Sequence, residues 1–348
     1  MSTQQALDLP VRAEAREPAE ARGLRRDEVR MLVARREDGR FEHARVADLV
    51  RYLEPGDLLV VNTSATLPAA LRARRADGQR IAVHLSTPVP GAAPGDEPLR
   101  YVVELRRGGG PLGDGRTGER LSFAGGASAQ LLSPYLGHRR LWVAELELPG
   151  SLPDYLELHG RPVFYPYLRE ERPLADFQTV FAAEPGSAEM PSAGRPFTPE
   201  LVTALVAGGV SVAPIVLHTG VSSLERGERP YPEWYRVPAS TARLAAVTRA
   251  AGGRVVAVGT TVVRALESAA LANGGLASRE GWTGLVITTA SGVHTVDGLL
   301  TGWHDPDASH LDLLGAVGGA DLVARSYRAA AEHGYLWHEF GDVYLILR

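Results

Sequence analysis

Residues able to do chemistry concentrate in three stretches. The first is Arg254-Val-Val-Ala-Val-Gly-Thr-Thr-Val-Val-Arg-Ala-Leu-Glu267. An apolar strand pattern runs into Gly259, Thr260 and Thr261 and then into a helical pattern. Ligands of α/β folds gather at the carboxyl ends of strands. A helix N-terminus there offers free N–H groups and a partial positive charge to an anion. Thr260, Arg264 and Glu267 fall on one helix face, from which Arg264 can grip a carboxylate with two hydrogen bonds. The same spacing equally fits a capping threonine and an Arg264–Glu267 surface pair. The second stretch, Leu217-His218-Thr219-Gly220, ends another apolar run. An imidazole at a strand end titrates near neutrality and can accept a proton, although a lone histidine is more often structural. The third stretch runs from Val296 to Asp307 and carries Asp297, Thr301 and His304. His304, Asp305, Asp307, His310 and Asp312 are of metal-ligand type. Pro306 interrupts the spacing between the two histidines, so the pattern reads as a turn with solvated aspartates, and no metal is assigned.

What the chain lacks narrows the chemistry further. There are no cysteines, which excludes disulfides, thiolate nucleophiles and cysteine-bound metals. All 37 Lys-or-Arg positions are arginine, the mark of a GC-rich coding sequence, and this excludes lysine Schiff-base chemistry. No G-x-S-x-G elbow, P-loop or complete G-x-G-x-x-G fingerprint occurs. A net charge of −4 argues against broad nonspecific RNA binding and leaves room for a local arginine patch. Hydrophobic residues at 45% and charged residues at 22% describe an ordinary globular protein. No apolar run approaches the ~20 residues of a membrane helix, and residues 1–30 lack the apolar stretch of a signal peptide, so the expected location is the cytoplasm.

The elements that must position these groups come in two textures. Residues 81–86, 101–106, 120–123 and 141–148 read as short β segments between Gly-, Pro- and Asp-rich turns, which predicts a small antiparallel sheet or barrel. After Ser151, strands alternate with helices. Strands are predicted at 211–217, 254–258, 285–289 and 343–347, and helices at 240–251, with Ser240 or Thr241 as N-cap, at 260–273 and at 321–332. Residues 31–34 and 57–62 add two buried strands. The expected fold is therefore α/β. A mainly parallel α/β domain from residues 1–68 and 152–348 carries an inserted, barrel-like antiparallel β domain over 69–151. Residues before Arg25 are expected to be partly disordered.

The ordered series of motifs resembles the S-adenosylmethionine:tRNA ribosyltransferase-isomerases of queuosine biosynthesis, nearly end to end. The resemblance rests on Leu7-Asp-Leu-Pro10, Arg26-Asp27 with Arg30-Met-Leu-Val33, and Tyr52-Leu-Glu-Pro-Gly-Asp-Leu-Leu-Val60 followed by Asn62. It continues through Phe177-Gln-Thr-Val-Phe181, Pro191-Ser-Ala-Gly194 with Phe197-Thr198, Leu217-His218 and Glu233-Trp-Tyr235. It ends with Gly259-Thr-Thr, Arg264, Glu267, Val296-Asp-Gly-Leu-Leu-Thr301, His304, Pro306 and Phe340-Gly-Asp342. The resemblance implies a two-domain architecture and S-adenosylmethionine as a co-substrate that donates its ribosyl part, with no metal. It implies as acceptor a tRNA bearing an aminomethyl 7-deazaguanine base, with adenine and methionine released. It assigns Gly259, Thr260, Thr261, Arg264 and Thr301 to S-adenosylmethionine, and Gln178, Ser192, Gly194 and Asp342 to substrate. Such chemistry needs a base for the acidic C5′ proton beside the sulfonium. The expected base is His218, with His304 and Asp297 orienting ribose or adenine.

Departures from the family pattern are also visible. Pro196 stands where the family has a histidine, Thr63-Ser64-Ala65 replaces its Asp-Thr-Lys/Arg, and Ala70 replaces the arginine of its Pro-Ala-Arg-Leu. The glycine-rich run after the histidine has become Thr219-Gly-Val-Ser-Ser-Leu224, a His-rich segment has become Arg229-Pro-Tyr-Pro232, and Gly302 replaces an asparagine. Because the stretches 259–267 and 297–301 stay intact, the pattern points to a changed acceptor or changed chemistry. Three readings stand: the tRNA-modifying transferase, an enzyme that uses S-adenosylmethionine on a free small molecule, and a non-catalytic descendant.

Overall fold

A computed structural model describes residues 13–91, 98–137, 139–221, 231–304 and 310–348. Residues 7–10, 222–224, 229–230 and 305–307, which carry parts of the sequence reading, lie outside the described residues.

A nine-stranded sheet organises most of the chain, in the order Arg279–Thr283, Glu233–Val237, Ser211–Leu217, Leu58–Asn62, Val255–Val258, Gly298–Gly302, Val343–Leu347, Arg30–Arg35 and Phe41–Arg45. Its central strands, from Ser211–Leu217 to Gly298–Gly302, pair in parallel, as do Arg30–Arg35 and Val343–Leu347. The other four pairings are antiparallel. The sheet is thus mixed rather than mainly parallel, because β/α alternation governs only its centre. Central strands read as unbroken apolar runs because both faces are covered: Leu58–Asn62 and Val255–Val258 are buried at every position. The helix Thr260–Asn273 buries Val262, Val263, Ala265, Leu266 and Ala269 in the core that also holds Leu58, Val60, Ile215 and Val255. Helix Pro199–Ala207, capped by the Thr198 side chain, covers the other face with Leu201 and Leu205.

Several predicted elements shift. Residues 285–289 are not a strand. The edge strand lies just before them, at Arg279–Thr283, and Leu285 to Ile287 form irregular backbone. The helix predicted at 240–251 spans Ala239–Ala250, and its N-cap residue is Pro238. Thr241 does not cap it, because its hydroxyl donates to the Pro214 carbonyl at 2.6 Å. Part of the segment before Arg25 is ordered by pairing: Ala13–Glu14 lies parallel to Leu336–Trp337.

The second sheet is built entirely from one stretch of chain. Ala70–Arg74, Arg80–Pro88, Arg100–Arg107, Leu141–Glu147, Ser128–Pro134 and Arg120–Ser122 pair antiparallel in that circular order and close into a six-stranded barrel. Alternate residues, including Leu71, Val83, Leu85, Val103, Leu105 and Leu131, fill its core, as the two-residue period of strands requires. The barrel meets the large sheet through hydroxyl contacts. Ser86 Oγ lies 2.9 Å from Tyr231 Oη and accepts from the Val221 amide at 3.1 Å. Among the described residues, no helix is long and apolar enough to cross a membrane.

Candidate functional site

A cavity opens at the carboxyl end of Val255–Val258, where the apolar strand gives way to glycine and threonine. Gly259 turns the chain at φ 98°, a region that favours glycine, and the helix Thr260–Asn273 begins at once. No side chain caps its first turn, which leaves that end suited to an anion. Gly259, Thr260, Thr261 and Arg264 line the cavity together with Ser192, Thr301 and His304. Seven residues expected in the site are therefore brought together. Leu285, Val286 and Ile287, misread as a strand, form a cavity wall.

Arg264 does not pair with Glu267. Its Nη1 donates to Glu233 Oε2, while Nε and Nη2 donate to the Leu285 and Thr283 carbonyls at 3.3 and 3.2 Å. Glu233 Oε1 in turn accepts from the Gly220 amide at 2.9 Å. Glu267 is occupied elsewhere: Oε1 accepts from the His294 and Thr295 amides and the Thr295 hydroxyl, each at 2.7 Å. Arg264 is therefore a fixed positive charge in the cavity wall, not a freely moving fork.

Two histidines also line the cavity. His304 and His310 stack with centroids 4.2 Å apart and planes 3° apart. Thr301 Oγ1 lies 3.0 Å from His304 Nε2. Burial holds His304 well below the usual histidine range, reinforced by His310 and His338. Burial, with Arg264 behind it, pushes His310 down to about 4. Both imidazoles are thus held in the neutral form at pH 7, and the burial that keeps them uncharged also weakens them as bases. Glu339 also lines the cavity, and burial pushes its carboxyl up to about 7.

Other expected site residues lie elsewhere. His218 is absent from the cavity lining, although Thr219 beside it belongs to the wall. Its Nδ1 lies 2.8 Å from Ser64 Oγ, its ring stacks on Trp234 at 5.2 Å, and Gly186 packs so closely that a Cβ there would come within 2.4 Å of the ring. Burial pushes His218 down to about 4, with Glu184 opposing and Arg236 adding to the shift. Asp297 sits at the far end of the sheet, where its Oδ2 accepts from the Val255 amide at 3.0 Å and faces Arg249 at 3.4 Å. The reason is geometric: the stretch 297–301 is a strand, so Asp297 and Thr301 are separated by about 13 Å of strand rise. Gln178 clamps Thr66, accepting from its amide at 3.0 Å and donating to its carbonyl at 2.8 Å. Gly194 packs against Thr179 and Phe181. Asp342 accepts from the Arg30 and Leu336 amides at 2.8 Å and pairs with the Arg30 guanidinium at 2.9 Å. Gln178, Gly194 and Asp342 hold neighbouring segments and do not line the cavity.

Sequence reasoning missed Glu189, Tyr231, Glu233 and Glu339 as cavity residues. Glu339 had one visible signal, a carboxylate set within the aromatic run Tyr335-Leu-Trp-His-Glu-Phe340.

The comparisons with known proteins agree with this architecture over its whole length. The family described as queuosine biosynthesis protein matches residues 3–346. An S-adenosylmethionine:tRNA ribosyltransferase-isomerase of Moorella thermoacetica is 36% identical over 357 aligned positions, covering 98% of each chain. The enzyme of the same name from Thermotoga maritima is 34% identical with the same coverage. The crystal structure of an S-adenosylmethionine tRNA ribosyltransferase from Thermotoga maritima superposes with a TM-score of 0.55 at 30% identity, covering 99% of this chain and 100% of that one. A mixed sheet with an antiparallel barrel, a strand-end cavity and full-length likeness to these proteins together establish that the chain belongs to the queuosine biosynthesis protein family.

Proposed function

We propose that this protein is an S-adenosylmethionine-dependent ribosyltransferase-isomerase whose acceptor is tRNA bearing a 7-deazaguanine base, acting in the cytoplasm with release of adenine and methionine. The observation that carries the reading is likeness over 98% of both chains to relatives named for that activity. In this reading the cavity at Gly259 holds S-adenosylmethionine. The first-turn amides of Thr260 and Thr261 receive an anionic group such as its carboxylate, and Arg264 adds a fixed positive charge. Ser192 and Thr301 supply hydroxyls at the cavity wall.

We assign removal of the C5′ proton to His304 rather than His218. A base must lie within hydrogen-bond reach of the proton it takes, and His304 lines the cavity whereas His218 does not and packs on Trp234 and Gly186. Thr301 orients the His304 ring through Nε2. His218 then serves as a positioning residue, joining Ser64 to the Thr219 segment of the cavity wall. Residues 69–151 are read as an inserted β domain carried by an α/β domain from residues 1–68 and 152–348.

The test is incubation of the protein with S-adenosylmethionine and with tRNA whose base carries the aminomethyl group. The expected result is adenine release that depends on the tRNA, together with a matching gain in tRNA mass. Adenine release with the free base but not with tRNA replaces this reading with a small-molecule transferase. No release with either acceptor overturns it in favour of a non-catalytic descendant.

A further inference from the structure

We propose that Glu339 forms a subsite for an organic cation, a sulfonium or a primary ammonium, within the cavity. The proposal rests on reading that cavity as the S-adenosylmethionine site. Glu339 Oε2 is buried and has no hydrogen-bond partner among the described residues. Burying a carboxylate without a partner is costly, and protein carboxylates elsewhere in this molecule are not left so: Asp57, Glu104, Glu267 and Asp342 all bind donors. The backbone holds Glu339 in place. His338 before it adopts φ 72°, and its ring stacks on Tyr167 at 4.5 Å and 11°.

The charge around the cavity points the same way. Among its described lining residues are three carboxylates, Glu189, Glu233 and Glu339, and one permanent cation, Arg264. Arg264 is taken by Glu233. His304 and His310 are held neutral by burial. Burial, then the charges of Glu189 and Glu339, pushes the Tyr165 hydroxyl well up, so it stays a neutral phenol and adds no charge of either sign. A bound organic cation supplies the partner that Glu339 Oε2 lacks among the described residues. It also favours the ionised carboxylate, so binding at neutral pH expels the proton that burial retains on Glu339.

The test is calorimetric titration of wild type and Glu339→Gln in buffers of different ionisation enthalpy. The ligands are S-adenosylmethionine, S-adenosylhomocysteine, which lacks the sulfonium, and free 7-aminomethyl-7-deazaguanine. We expect wild type to release up to about half a proton per cation bound at pH 7. In Glu339→Gln that release vanishes and affinity falls about 10- to 100-fold. A fall confined to S-adenosylmethionine identifies the sulfonium. A fall shared with S-adenosylhomocysteine identifies the amino-acid ammonium, and one confined to the free base identifies the acceptor amine. Equal affinity and equal proton release in both proteins overturn the proposal while leaving the cavity assignment intact. If wild type binds none of the three, both fall. Proton release separates this role from a structural one, because a Glu339 that merely packs has no proton to expel on binding.

Discussion

Two carboxylates with buried oxygens, one in the barrel and one in the cavity, are handled in opposite ways. Glu104 is fully buried, yet its Oε1 accepts from Arg140 and its Oε2 from Arg106, each at 2.5 Å. His84 completes that cluster at 4.0 Å, pushed down to about 3 mainly by burial and then by Arg106. Glu339 has a buried oxygen with no partner among the described residues. The barrel answers its charge from within and so fixes its own shape, whereas the cavity leaves charge to be answered by a ligand. A buried ionisable group thus marks function when its partner is missing, not merely when it is buried.

The largest expected effect is on catalysis. His304→Ala should lower the rate of adenine release by about 10²–10⁴, the usual range for loss of a general base, while His218→Ala loses only the positioning contact with Ser64 and costs less. Solvent deuterium exchange at C5′ compares the two directly. If His218→Ala shows the larger loss, the base is His218 and the substrate reaches beyond the cavity at Gly259.

Next comes the structural carboxylate. Glu104→Ala removes the carboxylate that two buried guanidiniums, Arg106 and Arg140, share and should cost about 3–5 kcal/mol of stability, read as a large fall in Tm or denaturant midpoint. A change under about 1 kcal/mol would show that water reaches this cluster and would remove the contrast with the cavity. Arg264→Ala should weaken S-adenosylmethionine binding by about 1.5–3 kcal/mol, since it removes the fixed cation and releases Glu233. Unchanged calorimetric affinity in a folded variant removes Arg264 from the binding account.

The smallest effect is a pH signature of stability. The Glu339 carboxyl is raised in the folded state to about 7, above its unfolded value near 4.3. The native state therefore holds this proton more tightly, and the associated stability is full below pH ~4.3 and lost as pH rises through about 7. Glu339→Gln, which never ionises, should gain stability relative to wild type between pH 5 and pH 8, measured as the difference in Tm. A difference that does not change with pH would mean that the carboxyl titrates as an exposed group does.

Much of the frame was legible in the residues. The strand–glycine–helix unit at Gly259 was visible because an unbroken apolar run, a glycine and a helical period follow each other within one segment. The barrel strands were visible from alternation and turn residues. The 285–289 run was misread because three apolar residues that wall a cavity have the same composition as three that fill a sheet. Asp297 was grouped with Thr301 and His304 because they are close in sequence, but a strand carries its two ends to opposite sides of a domain. The Arg264–Glu233 pair depends on segments 31 residues apart, and the unpartnered Oε2 of Glu339 depends on the absence of a donor from several distant described segments. Neither leaves a local pattern.

The pairing of Arg30–Arg35 with Val343–Leu347 sets an order on the chain's emergence from the ribosome. The Arg30–Asp342 clasp beside that pairing joins residues 312 apart, so this part of the sheet must wait until Asp342 has been synthesised. The barrel, contained within residues 70–147, has all its strands in hand long before. Closing such distant segments is slow, and the waiting N-terminal strands Arg30–Arg35 and Leu58–Asn62 are apolar. A nascent chain of this protein therefore holds every barrel strand while the large sheet still lacks Val343–Leu347, and its apolar strands depend on chaperones over that interval.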